Sequence, residues 1–169
     1  TFFSEFLFKE SKKDSFDFAN VVFTFLSIIL MALCCLCITF SPLIVKMMAW
    51  GFAEDKSKFD LTVLLTRIMF PYIFFISLVA LCMGILNSLK HFAAPALAPV
   101  LLNFSMILSV VILMPYLSQP VLALAFGVIA GGVLQLALQI PFLRNKGVTL
   151  GFRLKFSHPG LMRLLKLMI

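Results

Sequence analysis

Residues 92–143 read FAAPALAPVLLNFSMILSVVILMPYLSQPVLALAFGVIAGGVLQLALQIPFL, a run of 52 residues without one Asp, Glu, Lys or Arg. One helix needs about 20 apolar residues to cross a bilayer, so the run is long enough for two crossings. Pro115 and Pro120 mark the turn between them. The run also holds amides and further prolines, which membrane helices tolerate mainly where they pack together or line a polar cavity. The sequence therefore predicts a polytopic membrane protein whose helices contact more than lipid.

The whole chain has the composition of a membrane protein. Of its 169 residues, 62% are hydrophobic and 12% are charged, and the mean hydropathy is +1.11. A soluble domain of this size could not bury so much apolar surface, so we predict an all-α bundle of transmembrane helices. The net charge of +7 comes from residues that lie between the apolar stretches. That is the distribution of topogenic loop charge, and we predict no nucleic-acid partner.

The sequence carries no recognisable motif for catalysis or metal binding. Cys34 and Cys37 have a C-x-x-C spacing, but their setting, LMALCCLCITF, is wholly apolar. No His or carboxylate lies nearby in the sequence to complete a ligand set or to activate a thiol. All seven acids fall in predicted loops or at the edges of spans. We therefore predict neither an enzyme, nor a metal site, nor a cofactor.

The charge-free stretches divide the chain into four predicted spans, at residues 18–40, 67–89, 95–114 and 121–143. Residues 1–17 are predicted to be the end of a preceding helix and a cytoplasmic linker, and residues 46–60 a short exposed loop. Residues 144–169 are predicted to be a basic cytoplasmic linker and the start of a truncated next helix. Because the chain begins with Thr1 and ends inside an apolar run, we interpret it as a fragment of a longer protein.

The basic residues predict how the spans are oriented. Ten of the 14 Lys and Arg residues lie on the side that holds both ends of the chain, and four lie on the other side. Cytoplasmic loops of membrane proteins carry the excess of Lys and Arg. We therefore predict that both ends are cytoplasmic.

A stripe of small and amide residues follows the fourth span. Gly127, Gly131, Gln135 and Gln139 are spaced by four residues, which places them on one helix face. Small residues let a second helix approach closely, and amides in hydrocarbon need a partner. Two interpretations stay open: a packing seam in which the glutamines bond across the interface, or a cavity wall that touches a polar substrate.

Prolines and asparagines single out positions on the second and third spans. Pro95, Pro99 and Asn103 are spaced by four residues. Pro99 has no N–H for the Pro95 carbonyl, so we predict a bend there, either as a moving hinge or as fixed architecture. On the second span, Arg67 is about 20 residues from Asn87, roughly 30 Å along a helix. Arg67 is therefore predicted to be an interfacial anchor or a headgroup contact.

These observations give two sets of candidate residues. The substrate or cavity candidates are Arg67, Asn87, Asn103, Gln135 and Gln139. The hinge or packing candidates are Pro71, Gly84, Pro95, Pro99, Gly127 and Gly131.

One long block resembles a known family. Residues 66–103 read TRIMFPYIFFISLVALCMGILNSLKHFAAPALAPVLLN, and the elements F-P-Y, G-x-L-N-S and F-A-x-P-A-x-A-P-x-L-L-N are similar to those of the MviN/MurJ family. Residues 120–143, PVLALAFGVIAGGVLQLALQIPFL, look like the family's next helix. The similarity extends from the Ser-Glu-Phe that begins at Ser4 to the final RLLKLM.

The resemblance implies a lipid II flippase of peptidoglycan synthesis in the bacterial inner membrane. Such proteins belong to the multidrug/oligosaccharidyl-lipid/polysaccharide exporter superfamily, with 14 helices in two lobes around a cationic cavity. This chain would supply helices three to six of the N-terminal lobe. The implied partners are a lipid-linked peptidoglycan precursor, membrane lipids and the missing helices of the same protein.

Two other functional hypotheses stay open from the sequence. The chain could be a truncated remnant that inserts into the membrane without transporting anything. It could also belong to a sister exporter of another lipid-linked glycan or of a drug.

Overall fold

The computed structural model describes residues 12–49, 51 and 55–151, and within them the secondary structure is helical, without strands. The elements are α1 (Lys12–Thr39), α2 (Ser41–Met48), α3 (Lys56–Ser88), α4 (Ala93–Leu113), a short 3-10 helix (Met114–Tyr116) and α5 (Val121–Asn145). The prediction of an all-α fold is confirmed.

Four of the helices are long and apolar enough to cross a membrane. They comprise Phe16–Thr39, Lys56–Ser88, Ala93–Tyr116 and Val121–Asn145. The prediction of a polytopic helix bundle is therefore confirmed. Each predicted span overlaps one of these helices, and which residues lie inside the bilayer stays a prediction.

The segment between the first two spans differs from the expected loop. Residues 46–60 include the end of α2 and the start of α3. Pro42 lies in the first turn of α2, where its missing N–H breaks no helix bond. Asp55 caps α3, because its side chain accepts hydrogen bonds from the backbone N–H groups of Ser57 and Lys58 at 3.1 and 3.2 Å. The expectation of a loop is wrong for these helical parts.

Some sequence predictions lie outside the described residues. They concern residues 1–11 of the first linker, residues 50 and 52–54 of the expected loop, and residues 152–169 of the last linker and helix.

Helix α5 is the centre of the bundle, because it packs along α4 on one side and along α3 on the other, while α1 packs on α3. Glycines allow this double contact. A Cβ atom at Gly127 would lie 2.8 Å from the Cα of Met106 on α4. A Cβ atom at Gly132 would lie 3.0 Å from the Cβ of Phe75 on α3. Small residues at these positions are what lets three helix backbones come close.

Helices α3 and α5 end in the same capping geometry. After α5, Gly147 has a φ of +85°, and Gly147 and Val148 donate to the carbonyls of Arg144 and Leu143. This pattern is a Schellman motif, which usually needs a glycine in the left-handed position. After α3, the same two hydrogen bonds occur, but Lys90 takes the left-handed position with a φ of +57°.

An apolar cluster sits where these two helix ends meet α1 and the start of α4. Its buried members are Ala19, Cys82, Ile85, Leu86, Ala94, Leu143 and Val148. The cluster fixes the end of the bundle at which the α3–α4 turn and the end of α5 lie side by side.

Candidate functional site

Polar contacts join α4 and α5 at intervals of about one or two helical turns. The three contacts are Ser109 Oγ to the Ala123 carbonyl at 2.6 Å, Ser105 Oγ to the Gly127 carbonyl at 2.9 Å, and Gln135 Nε2 to the Ala98 carbonyl at 2.8 Å. We call this set the α4–α5 ladder. In each contact a side chain of one helix donates to the backbone of the other, so polar groups are satisfied inside an apolar bundle.

The predicted glycine and glutamine stripe lies in this interface. Gln135 is 2% exposed and Gln139 is 0% exposed, and Gly127 and Gly131 face Met106 and Leu102 of α4. This placement corresponds to the packing interpretation of the stripe. The Oε1 atom of Gln135 and both amide atoms of Gln139 have no hydrogen-bond partner. Contact of the two glutamines with substrate stays a prediction.

Arg67 is held by a residue far away in the sequence. Its Nε atom donates to Ser41 Oγ at 2.8 Å, and Ser41 is 0% exposed. Ser41 begins α2, so the short helix fixes the direction of the arginine side chain. Arg67 itself is exposed, and among the described residues it forms no ion pair. Its terminal guanidinium nitrogens are therefore available to an anionic acceptor.

One face of α3 carries mostly small or polar residues, which are exposed or half-buried in the described chain. At intervals of three, four or seven residues it presents Thr62, Thr66, Ile73, Ser77, Ala80, Gly84 and Asn87, and we call it the α3 small-residue face. Thr62 and Thr66 donate their hydroxyls to carbonyls one turn earlier at 2.7 Å, so neither hydroxyl needs a partner from outside. No atom lies within 4 Å of where a Cβ at Gly84 would sit.

A groove of about 360 Å³ opens on part of this face. Its lining residues are Thr62, Leu65, Thr66, Met69, Phe70, Tyr72 and Ile73. Lipid-facing helices are usually covered with large apolar side chains, whereas small and hydroxyl residues mark helix or cavity contacts. The α3 small-residue face is therefore suited to meet another part of a membrane protein.

The two asparagines do not join the glutamines. Asn87 lies exposed at the end of α3, and Asn103 lies exposed on α4. Asn103 points away from the ladder, because Ala98 and Ser105 define the side of α4 that contacts α5. The five substrate candidates are thus split between a buried pair and three exposed residues.

The hinge candidates lie in helices that continue through their prolines. Pro71 is inside α3 and Pro99 is inside α4. Pro95 is buried and Pro99 is exposed. Motion or bending at these prolines stays a prediction.

Sequence reasoning missed the serines that connect the helices. Ser105 and Ser109 are four residues apart, opposite small residues of α5, and this pairing was readable from their spacing. Ser41 had no such signal, because 26 residues separate it from Arg67. Metal binding gains no support here, since the described part of the chain holds no group of three or more His, Cys, Asp or Glu side chains that could bind an ion.

Four apolar helices joined by internal polar contacts, with a small-residue face left open, define a polytopic membrane protein of the helix-bundle class. A sequence model of the family described as lipid II flippase MurJ matches residues 1–169. The chain belongs to this family.

Individual relatives agree with the family match. The chain is 45% identical over 130 residues to the lipid II flippase MurJ of Burkholderia cenocepacia, which covers 75% of this chain and 25% of the relative. It is 37% identical over 159 residues to the probable lipid II flippase MurJ of Buchnera aphidicola subsp. Acyrthosiphon pisum, covering 94% and 31%. It is 38% identical over 157 residues to that of Rickettsia prowazekii, covering 92% and 30%.

The chain spans about a quarter to a third of the length of these curated relatives.

Proposed function

We propose that this chain is part of a flippase that moves lipid II from the inner to the outer leaflet of the bacterial inner membrane by alternating access. The observation that carries the proposal is the family match over all 169 residues. Lipid II is a peptidoglycan precursor linked to undecaprenyl pyrophosphate. A large polar headgroup cannot cross about 30 Å of hydrocarbon unaided, so the carrier must offer it a polar path while the lipid tail stays in the bilayer.

Arg67 is the residue of this segment best suited to meet the pyrophosphate. It is exposed, its side chain is fixed by Ser41, and its terminal nitrogens have no ion-pair partner in the described chain. Guanidinium groups bind phosphate through paired, charge-assisted hydrogen bonds. Its position about 20 residues from Asn87, roughly 30 Å along the helix, favours contact with the headgroup near one membrane surface.

The α3 small-residue face would line the path or meet the remaining helices. Exposed Asn87 and Asn103 would add neutral hydrogen-bonding groups to the path, and the buried Gln135 and Gln139 would join it only if α4 and α5 separated. Pro71, Pro99 and Gly84 remain hinge candidates for the alternation between inward-open and outward-open states. The partners are then the lipid-linked precursor, membrane lipids and the remaining helices of the carrier.

The test is complementation of bacteria depleted of their own flippase. The carrier is a family-length protein that contains this segment, and the measurement is the amount of lipid II that an external lipid II-cleaving enzyme can reach. The intact carrier should restore this amount. The 169-residue chain alone should not, because its four long helices are only part of the bundle that must enclose the polar path.

Arg67→Ala provides the residue-level test. It should lower transport about tenfold or more, because a hydrogen bond to a charged group contributes about 1.5–3 kcal/mol. Lys46→Ala is the matched control, since Lys46 is an exposed basic residue on neighbouring α2. Ser41→Ala separates the positioning of the Arg67 side chain from its charge, because it removes the hydrogen-bond partner of Arg67 and keeps the guanidinium. Unchanged transport in Arg67→Ala at normal abundance would refute the role of Arg67, and failure of the intact carrier would refute the proposed function.

A further inference from the structure

The α4–α5 ladder has a fourth position that no direct hydrogen bond fills. Its three contacts pair residues 109 with 123, 105 with 127 and 98 with 135. Each step moves about one or two turns along both antiparallel helices. Continuing by one turn pairs Gln139 with Ala94 and its neighbour Pro95, both of which are buried. Gln139 is itself 0% exposed, and neither of its amide atoms has a partner.

Three further polar atoms lie within about one helical turn of this position along the chain, or contact a residue that does. The Oε1 atom of Gln135, one turn earlier on α5, is buried and unpaired. The Pro95 carbonyl has lost its usual helix donor, because Pro99 has no N–H. The Nε2 atom of His91 is buried and unpaired, and the His91 ring stacks on Phe142 with ring centres 5.0 Å apart. Phe142 lies three residues after Gln139, on the same face of α5.

The walls around this polar group are apolar and closed to solvent. Ala94, Cys82 and Leu143 are all 0% exposed and belong to one apolar cluster. On α3, Tyr72 and Phe75 face Gly132. Since α3 and α5 run parallel, we infer from this register that Val79 and Cys82, seven residues later, lie at the level of Gln139. Burial of unpaired amides in such surroundings is unfavourable unless a further group completes their hydrogen bonds.

The donors and acceptors at this position indicate which kind of ligand would complete their hydrogen bonds. The site has two unpaired side-chain oxygens, on Gln135 and Gln139, and its donors are chiefly the two amide hydrogens of Gln139. The Pro95 carbonyl adds an acceptor, because Pro99 cannot donate to it. A ligand must therefore both donate and accept, and it must be small and neutral. A cation is disfavoured because residues 92–143 contain no carboxylate, and a charge without a counter-ion is costly in an apolar interior.

We propose that the α4–α5 interface contains an internal water site bounded by Gln139, the Oε1 atom of Gln135 and the Pro95 carbonyl, with His91 at its edge. The water accepts from Gln139 Nε2 and donates its two hydrogens to Gln135 Oε1 and the Pro95 carbonyl, which completes the fourth contact of the ladder. Buried waters typically make about three such hydrogen bonds. This inference does not depend on the identity of the transported lipid.

Radiolytic labelling tests the site in the family-length protein in membranes. A short X-ray pulse generates hydroxyl radicals from bound water, and these oxidise the side chains that the water touches. Cys82 is the reporter and Cys34 the internal reference, because both are buried, at 0% and 5% exposure. Cys34 lies on α1, where its Sγ contacts the Phe70 carbonyl at 3.5 Å, far along α3 from Cys82.

We expect Cys82 to be oxidised at least as fast as the more exposed Cys34. Gln139→Leu removes both polar amide atoms at similar volume and should slow oxidation of Cys82 by about fivefold or more, since an apolar cavity stays dry. Cys34 should be unaffected. Gln119→Leu, which changes an exposed amide in the α4–α5 connection, is the control and should change neither rate.

Two results would overturn the proposal. One is equal oxidation of Cys82 in the wild type and in Gln139→Leu. The other is a high-resolution structure in which Gln139 Nε2 bonds the Pro95 carbonyl directly with no water between α4 and α5. The structure of the wild type decides the matter even if Gln139→Leu fails to fold.

Discussion

Substituting alanine for each of three glycines of α5 tests how closely the helices pack. Gly127, Gly131 and Gly132 receive the same side chain on the same helix, so the gain in helix propensity, up to about 1 kcal/mol, is common to all three. The Cβ at Gly127 would lie 2.8 Å from the Cα of Met106 and 2.9 Å from the Cβ of Ser109. The Met106 Cα is a backbone atom, so no side-chain rotation can relieve this contact.

The expected displacement follows from these distances. Carbon atoms need about 3.5 Å or more, so α4 and α5 must separate by about 0.7 Å near position 127. Such a shift would stretch the Ser105 Oγ to Gly127 carbonyl bond from 2.9 Å to about 3.6 Å, beyond hydrogen-bonding range. Overpacking of this kind costs about 1–3 kcal/mol, so Gly127→Ala should be destabilised despite its better propensity.

The other two variants should be affected less. At Gly131 the nearest atom, at 2.7 Å, is the flexible Cδ1 of Leu102, and the Leu102 Cα follows at 3.1 Å. At Gly132 the nearest atoms belong to side chains at 3.0 Å. We therefore expect Gly132→Ala to be the most stable of the three variants, Gly131→Ala to be intermediate and Gly127→Ala to be the least stable.

The assay is thermal unfolding of the purified family-length protein in detergent, followed by the loss of the monodisperse peak in size-exclusion chromatography. The native protein is the reference. The reasoning is refuted if Gly127→Ala is as stable as the native protein, or if Gly132→Ala is the least stable of the three.

Three further predictions concern the ends and the orientation of the helices. Lys90→Gly should raise the melting temperature, because a non-glycine residue in the left-handed position costs about 1–2 kcal/mol; an unchanged or lower value would contradict a strained cap. The pKa of the Asp55 carboxyl is lowered, first by the backbone N–H of Lys58 and then by the Lys58 side chain. The hydrogen bonds from Asp55 to the start of α3 are therefore fully present above the pKa that Asp55 has in the unfolded chain. They are lost as pH falls through its lower pKa in the folded chain. Relative to the intrinsic exchange rate at each pH, protection of the amides at the start of α3 should then fall at acidic pH. Asp55→Ala should be poorly protected at every pH, and Asp55→Asn should show no such acid step. A cysteine placed at Ser57 in a background without native cysteines should react with an impermeant thiol reagent from outside the cell, and labelling from the cytoplasm alone would reverse the proposed topology.

The sequence predicted the helices correctly in the stretches that must lie in hydrocarbon, where few other backbone structures are possible. Long charge-free runs must form helices, since every backbone group in lipid needs an internal partner, and the four helices follow these runs. The segment between the first two spans was harder to predict, because charged residues such as Lys56 and Asp60 are typical of a loop. The local signal there was Asp55, whose side chain caps α3.

The site was less predictable than the fold for a geometric reason. Four-residue spacing identified the face that carries Gln135 and Gln139, but a packing seam and a cavity wall have the same spacing. Only the register between α4 and α5, set by Ser105 and Ser109, shows that this face is covered. The contact between Arg67 and Ser41 depends on how α2 folds back onto α3, which no single-helix pattern contains.

The distribution of polar groups also indicates which side of the segment meets the rest of the protein. Between α4 and α5, Ser105, Ser109 and Gln135 each donate to a backbone carbonyl of the facing helix, and Gln139 is 0% exposed, so this side is closed to groups from outside the segment. Arg67 and Asn87, by contrast, are exposed along α3, and polar side chains facing acyl chains are costly. They therefore face protein, headgroups or water when the chain is in a membrane. The α3 small-residue face adds further exposed small residues to the helix that carries them, so we expect the proposed transport path, or the helix that borders it, to lie against α3 rather than against α5.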